Sequence, residues 1–104
     1  MDLLPQVSFS ILLALSLKPR HGYQIMQQVE EDSDGKIKLG PGALYSSIKL
    51  LLASNLIEEI ATTDDRRRSY QLTNDGWDRL NKELDYFKAS VTLSQKRAAQ
   101  GSHA

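Results

Sequence analysis

No cysteine occurs in the 104 residues, which excludes a disulfide framework, a thiolate metal centre and a thiol nucleophile. Only two histidines are present, and His103 sits in the terminal tail, so no histidine–carboxylate–nucleophile set can be assembled. A glycine-rich phosphate loop followed by lysine is missing. Glu58 and Glu59 are neighbours on a predicted strand and point to opposite faces, which rules out a facing carboxylate pair. The acidic run Glu30–Gly35 resembles the start of a calcium loop, but aligning Gly35 with the turn position puts Pro41 where a bidentate glutamate is needed. No catalysis, metal or cofactor is therefore expected. Long hydrophobic runs are absent too. Phe9–Leu17 is too short to span a bilayer, and Asp2 stands where a secretory leader would carry positive charge. The run reads as a buried helix in a cytoplasmic chain without membrane contact.

The pattern predicts four helices, a short strand and a hairpin. A first helix is predicted over Leu3–Leu17, with Pro5 in its first turn and Lys18-Pro19-Arg20 ending it. A second covers His21–Glu31, with Tyr23, Ile25, Met26 and Val29 as its apolar stripe. Asp32-Ser33-Asp34-Gly35 is turn chemistry, and Lys36–Leu39 alternates like a short strand. A third helix starts with Gly40 as N-cap and Pro41 at the first helical position, and ends near Ser54-Asn55. Leu56–Thr62 and Arg68–Thr73 read as hairpin strands. A last helix begins at Thr73-Asn74-Asp75, where Thr73 or Asn74 supplies the cap. Such a chain buries one modest core, and domains this small often gain stability by oligomerising.

The third helix and the hairpin carry the functional pattern. Leu44, Ile48, Leu51 and Leu52 mark one buried face, leaving Gly42, Tyr45, Ser46, Lys49 and Ala53 on the other. A hairpin tipped by Asp64-Asp65-Arg66-Arg67-Arg68 follows. Small, hydroxylic and cationic groups beside an arginine-tipped hairpin suit a DNA groove and its phosphates. Thirteen basic against thirteen acidic residues give no net charge, whereas nucleic-acid-binding domains are usually basic. The distribution is uneven, however. Residues 1–35 carry −3, residues 36–70 carry +2 and residues 71–104 carry +1. Lys36, Lys38 and Lys49 therefore stand with the hairpin arginines, and a local field of this kind steers a protein onto phosphate. His21 and Tyr23 are expected to be structural, His21 as a cap or an orienter of the turn.

In the last helix Trp77, Leu80, Leu84, Phe87 and Val91 recur in heptad spacing, with Arg79, Lys82, Glu83, Asp85 and Lys88 alongside as flanking charges. Trp77 and Leu80 are expected to touch the first helix of the same chain. The seam outruns so small a core, so Leu80, Leu84, Phe87 and Val91, with Val7 and Ile11 of the first helix, are expected to form a homodimer interface. Trp77, Tyr86 and Phe87 there either stack a small aromatic effector or only pack the dimer. Two-fold symmetry would set two recognition helices about 34 Å apart and select inverted repeats.

His21-Gly22-Tyr23, Leu39-Gly40-Pro41-Gly42-Ala43-Leu44-Tyr45, Leu56-Ile57-Glu58, Arg67-Arg68-Ser69-Tyr70-Gln71-Leu72-Thr73 and Gly76 follow one another in an order that resembles the PadR family of bacterial transcription regulators. The resemblance runs from about Ile11 to Leu84, and the brief C-terminal region is similar to the smaller branch with a single dimerisation helix. Ala43 stands where many relatives have a hydroxyl, and Gly40 where a side-chain cap is frequent. The resemblance implies an α+β, mainly helical fold: a winged helix-turn-helix domain over residues 1–73 with a two- or three-stranded wing sheet, a long dimerisation helix over 74–100 and a tail over 101–104. It further implies a homodimeric repressor of double-stranded DNA, often released by a small effector. DNA contacts are then expected from Gly42, Tyr45, Ser46 and Lys49, from Arg66, Arg67 and Arg68 in the wing, and from Lys38 nearby. Two other readings stay open: a multidrug-type small-molecule sensor, and a winged-helix protein-interaction module.

Overall fold

The computed structural model describes residues 2–61 and 67–101. Helices α1 (Gln6–Leu15), α2 (Gly22–Asp32), α3 (Pro41–Ala53) and α4 (Asn74–Gln100) alternate with short strands β1 (Arg20–His21), β2 (Ile57–Ile60) and β3 (Ser69–Leu72). The sheet is antiparallel in the order β1-β3-β2, with Arg20 opposite Tyr70 and Ile57 opposite Leu72. This is the expected winged helix-turn-helix architecture with a three-stranded sheet. Ile11, Leu12, Leu15, Ile25, Val29, Leu44, Ile48, Leu51, Ile57, Tyr70, Leu72 and Leu80 form the core that α1, α2, α3, the sheet and the base of α4 share.

Several boundaries differ from the sequence expectation. Pro5 is the extended N-cap of α1 rather than a first-turn residue. Lys36–Leu39 is not a strand, since Ile37 and Leu39 pack against the core from an irregular segment without a ladder partner. The third strand lies instead at Arg20–His21, where Pro19 has ended α1 and the chain runs extended beside β3. Arg20 is buried there and its Nε donates to the Ala14 carbonyl at 3.1 Å, which closes the end of α1 onto the sheet. Asp34 and Gly35, both at positive φ, make the turn from α2 toward α3. Leu52 is 38% exposed and sits at the rim of the buried face of α3.

The base of α4 is part of the body. Thr73 caps it by accepting from the Gly76 amide at 2.9 Å, while its hydroxyl donates to the Asn55 carbonyl at 2.6 Å. Ile11, assigned to a dimer interface from the heptad pattern, is fully buried in this single chain, and Leu80 is nearly so. Both are core residues with no surface to offer, because α1 and the first turns of α4 close on each other. Trp77, in contrast, is 42% exposed rather than packed away. Glu83, expected as a solvated flanking charge, is also buried. Its carboxylate accepts from the Leu4 amide at 2.9 Å and from Arg79 Nε at 2.8 Å, and Arg79 also donates to the Asp2 carbonyl. A buried carboxylate is tolerated when charged and polar donors surround it in this way. Beyond Glu83, every residue from Leu84 to Gly101 is exposed.

Two glycines mark close approaches of opposite character. A Cβ at Gly76 would overlap the Leu56 carbonyl oxygen, which belongs to the backbone and cannot turn aside. A Cβ at Gly22 would lie 2.6 Å from the Tyr45 hydroxyl, the free end of a flexible side chain. Gly76→Ala is accordingly expected to lose on the order of 3 kcal/mol in urea unfolding. Gly22→Ala should stay within about 1 kcal/mol of wild type, because the Tyr45 ring can swing aside and the Leu44 methyl, 3.3 Å away, has to give only slightly.

Candidate nucleic-acid interface

Pro41 at the first helical position and the extended Gly40 before it start α3 without a side-chain cap. Leu44, Ile48 and Leu51 turn inward, which fixes the opposite face. Gly42, Tyr45, Ser46 and Lys49 are all exposed there. Lys38 is exposed in the segment that leads into α3. The helix thus presents its small, phenolic, hydroxylic and cationic groups as one surface.

The wing root adjoins this surface. Tyr45 lines a cleft of about 460 Å3 together with His21, Gly22, Tyr23, Arg67, Arg68 and Tyr70. The structure therefore brings Tyr45 of α3 beside Arg67 and Arg68 at the wing. Arg68 approaches Glu59 at 3.8 Å across the hairpin, and Arg67 Nη1 lies 3.1 Å from His21 Nε2. Arg66 and the aspartates Asp64 and Asp65 lie outside the described residues. Glu58 accepts from Gln71 Nε2 at 2.7 Å, so this strand carboxylate is engaged within the hairpin.

Four cleft residues, His21, Gly22, Tyr23 and Tyr70, were not among the predicted contacts. His21 is the N-cap of α2: its Nδ1 accepts from the Gln24 amide, and the Gln24 side chain accepts in return from the His21 amide. The His21-to-Gln24 spacing is the readable signal of this reciprocal cap. Gly22 lets Tyr45 settle on the start of α2. Tyr70 is buried at 3% exposure, and its phenol is raised above the usual tyrosine range, mainly by burial, then by Glu59 and Tyr45, against an opposing effect of Arg68. Tyr70 is consequently a neutral hydroxyl near neutral pH.

The apolar seam is a separate surface. Leu84, Phe87 and Val91 are exposed along α4, with Val7 half-buried on α1. Phe87 stacks on Phe9 of α1, with ring centroids 5.3 Å apart, and meets Tyr86 edge-on at 5.7 Å. Leu3, Leu4, Phe9, Ile37 and Phe87 line an apolar cleft of about 400 Å3 beside this stack. Trp77 does not join Tyr86 and Phe87, since ten residues of helix separate it from Phe87 by about 15 Å. No group of metal-ligating side chains is found among the described residues, and no described helix is long and apolar enough to cross a membrane.

The chain is similar to several regulators of known structure. A PadR family transcription regulator from Clostridium difficile superposes with a TM-score of 0.76 at 25% identity, over 88% of this chain and 97% of that one. RosR from H. salinarum superposes with a TM-score of 0.71 at 24% identity, over 92% and 96%. A transcriptional regulator from Clostridium thermocellum gives 0.72 at 20% identity, over 88% and 89%. No curated protein matches the chain by sequence. The transcriptional regulator PadR-like family matches residues 11–82, which hold α2, α3, the sheet and the base of α4. With that span matched and the helix–wing surface in place, the chain belongs to the PadR-like family of DNA-binding transcriptional regulators.

Proposed function

We propose that the chain works as a homodimer that represses transcription by occupying an inverted-repeat operator. The observation that carries this reading is the single exposed surface made by Gly42, Tyr45, Ser46 and Lys49 of α3 and continued by Arg67 and Arg68 of the wing. The outer face of α3 enters the major groove, with Lys49 and Ser46 toward base edges or phosphate, and Lys38 toward the flanking backbone. The wing follows the phosphates beside the minor groove, and Arg66 is assigned to the same contact from sequence alone. Two copies meet along the exposed seam Leu84, Phe87 and Val91, with Val7 of α1 at its edge. Pairing explains how a chain of zero net charge gains useful affinity, because the second half-site binds at high effective concentration.

A sensor role is supported by the apolar cleft beside the Phe9–Phe87 stack. A planar apolar effector held there at the dimer seam favours one arrangement of the two α4 helices and shifts DNA affinity by its differential binding. Shifts of the Phe9 and Phe87 ring resonances on adding such compounds test the sensor reading directly, and unchanged resonances would refute it.

Selection of bound duplexes from a random DNA library, followed by anisotropy titration at several salt concentrations, should recover an inverted repeat with steep salt dependence. Lys49→Ala and Arg67→Ala are each expected to weaken binding roughly tenfold and to lower the salt slope by about 1 per lost phosphate contact, with an unchanged far-UV spectrum. A double variant that keeps wild-type affinity would remove this surface from consideration. Leu84→Asp should give monomers in light scattering, and a persistent dimer would refute the seam.

A further inference from the structure

We propose that Gly22, the first residue of α2, is a positioning residue of the DNA face: its missing side chain lets the Tyr45 hydroxyl lie over the start of α2, where it donates to one backbone phosphate of the operator. The inference rests on the reading of α3 and the wing as the DNA face and gives α2 a part in setting that face.

Tyr45 stands at the margin of the outer face of α3. Its neighbour Leu44 is fully buried in the core, which fixes the backbone of this turn from below, whereas Tyr45 is 53% exposed. The phenol leans across to α2. A Cβ at Gly22 would stand 2.6 Å from the Tyr45 hydroxyl oxygen and 3.2 Å from the ring carbon that bears it. Gly22 is itself buried, so the far end of the ring rests on bare backbone. A half-exposed phenol on a helix surface has several staggered rotamers open to it. Here the core anchors one end of the side chain and Gly22 receives the other. The hydroxyl makes no hydrogen bond to any described residue, and Tyr45 lines the same cleft as Arg67 and Arg68. Tyrosine hydroxyls bind backbone phosphates as cations do, and such contacts set register on the duplex without reading bases.

A methyl group at position 22 closes this resting place. Ordinary contact for a Cβ begins at 3.4 Å, so the hydroxyl must retreat by most of an ångström. A hydrogen bond of normal length does not survive such a displacement. Gly22→Ala thus acts on DNA through Tyr45 while the core beneath stays packed. The phenol is uncharged, so its loss lowers affinity without lowering the salt slope, in contrast to Lys49→Ala.

The test uses the full-length protein and its selected operator, with Gly22→Ala, Tyr45→Phe and the double variant compared by anisotropy. Each single variant should lose roughly tenfold in affinity, the scale of a hydrogen bond to a charged group, at a wild-type salt slope. The double variant should lose no more than Tyr45→Phe alone, because Gly22 acts only through the hydroxyl. Single phosphates are then replaced in turn by uncharged methylphosphonate. One position in each half-site should cost wild type about the same factor, and all three variants should be insensitive there. A glycine needed only for packing would leave that pattern unchanged. Gly22→Ala at wild-type affinity beside a weakened Tyr45→Phe would overturn the positioning role, as would additive losses in the double variant. A Gly22→Ala chain that fails to fold would contradict displacement of Tyr45 alone and sink the proposal too. Wild-type affinity in Tyr45→Phe would remove the phosphate contact, while a weakened Lys49→Ala kept the DNA face standing. Failure of wild type to bind any duplex would instead overturn the reading of α3 and the wing.

Discussion

The arrangement of the molecule depends on the absence of a side chain at Gly76. That absence lets the first turn of α4 lie against the Leu56 carbonyl, at the one place where the end of α3, the hairpin and α4 converge. Asn55, at positive φ, turns the chain out of α3, and its carbonyl is held by the Thr73 hydroxyl. The Leu56 carbonyl accepts from the Thr73 amide, and the Asn55 side chain donates to Asp75. Four short contacts therefore lock the direction in which α4 leaves the body. Because the proposed dimer forms along α4, that direction also sets the spacing of the two α3 helices.

Zero net charge is compatible with a phosphate-binding face because the charges are sorted within the fold. Arg67 and Arg68 lie beside Tyr45 where α3 meets the wing, and Lys49 is exposed on the same helix. Glu58 is occupied by Gln71 and Glu59 by Arg68. The acidic run Glu30-Glu31-Asp32 stands at the C-terminal end of α2, about 15 Å from the cleft at its N-terminal end. A molecule polarised in this way is attracted to a polyanion in one orientation and repelled in the opposite one.

Long periodic segments were readable from sequence, and short exchanges between segments were not. The inward stripe of α3 and its free face follow from helix spacing alone, as does the run of apolar residues along α4. β1 escaped notice because two residues carry no periodicity and Pro19 reads as a simple break. Ile11 and Leu80 fit a heptad as well as a core position, and only the packing of α1 on α4 separates the two. Glu83 was read as a charge flanking the seam because one donor that permits its burial, the Leu4 amide, lies at the far end of the chain, as does the Asp2 carbonyl that accepts from its other donor, Arg79. Trp77, Tyr86 and Phe87 share a residue class, but helical rise keeps Trp77 from the other two. The cleft was unreadable for the same reason: His21, Tyr45 and Tyr70 come from three elements, and each alone has an ordinary structural explanation.

The bond between the Leu4 amide and Glu83 joins positions 79 apart in sequence. Contacts of such separation carry a large loop-closure entropy and form late. During synthesis the first residues leave the ribosome long before their carboxylate exists, so the N-terminal strand of chain stays unattached while α1, α2 and α3 collapse. Attachment becomes available only when α4 has emerged as far as Glu83. The proposed dimer seam starts on α4 at the next residue, Leu84, so the same stretch of nascent chain that completes the monomer is followed at once by the surface on which monomers would pair.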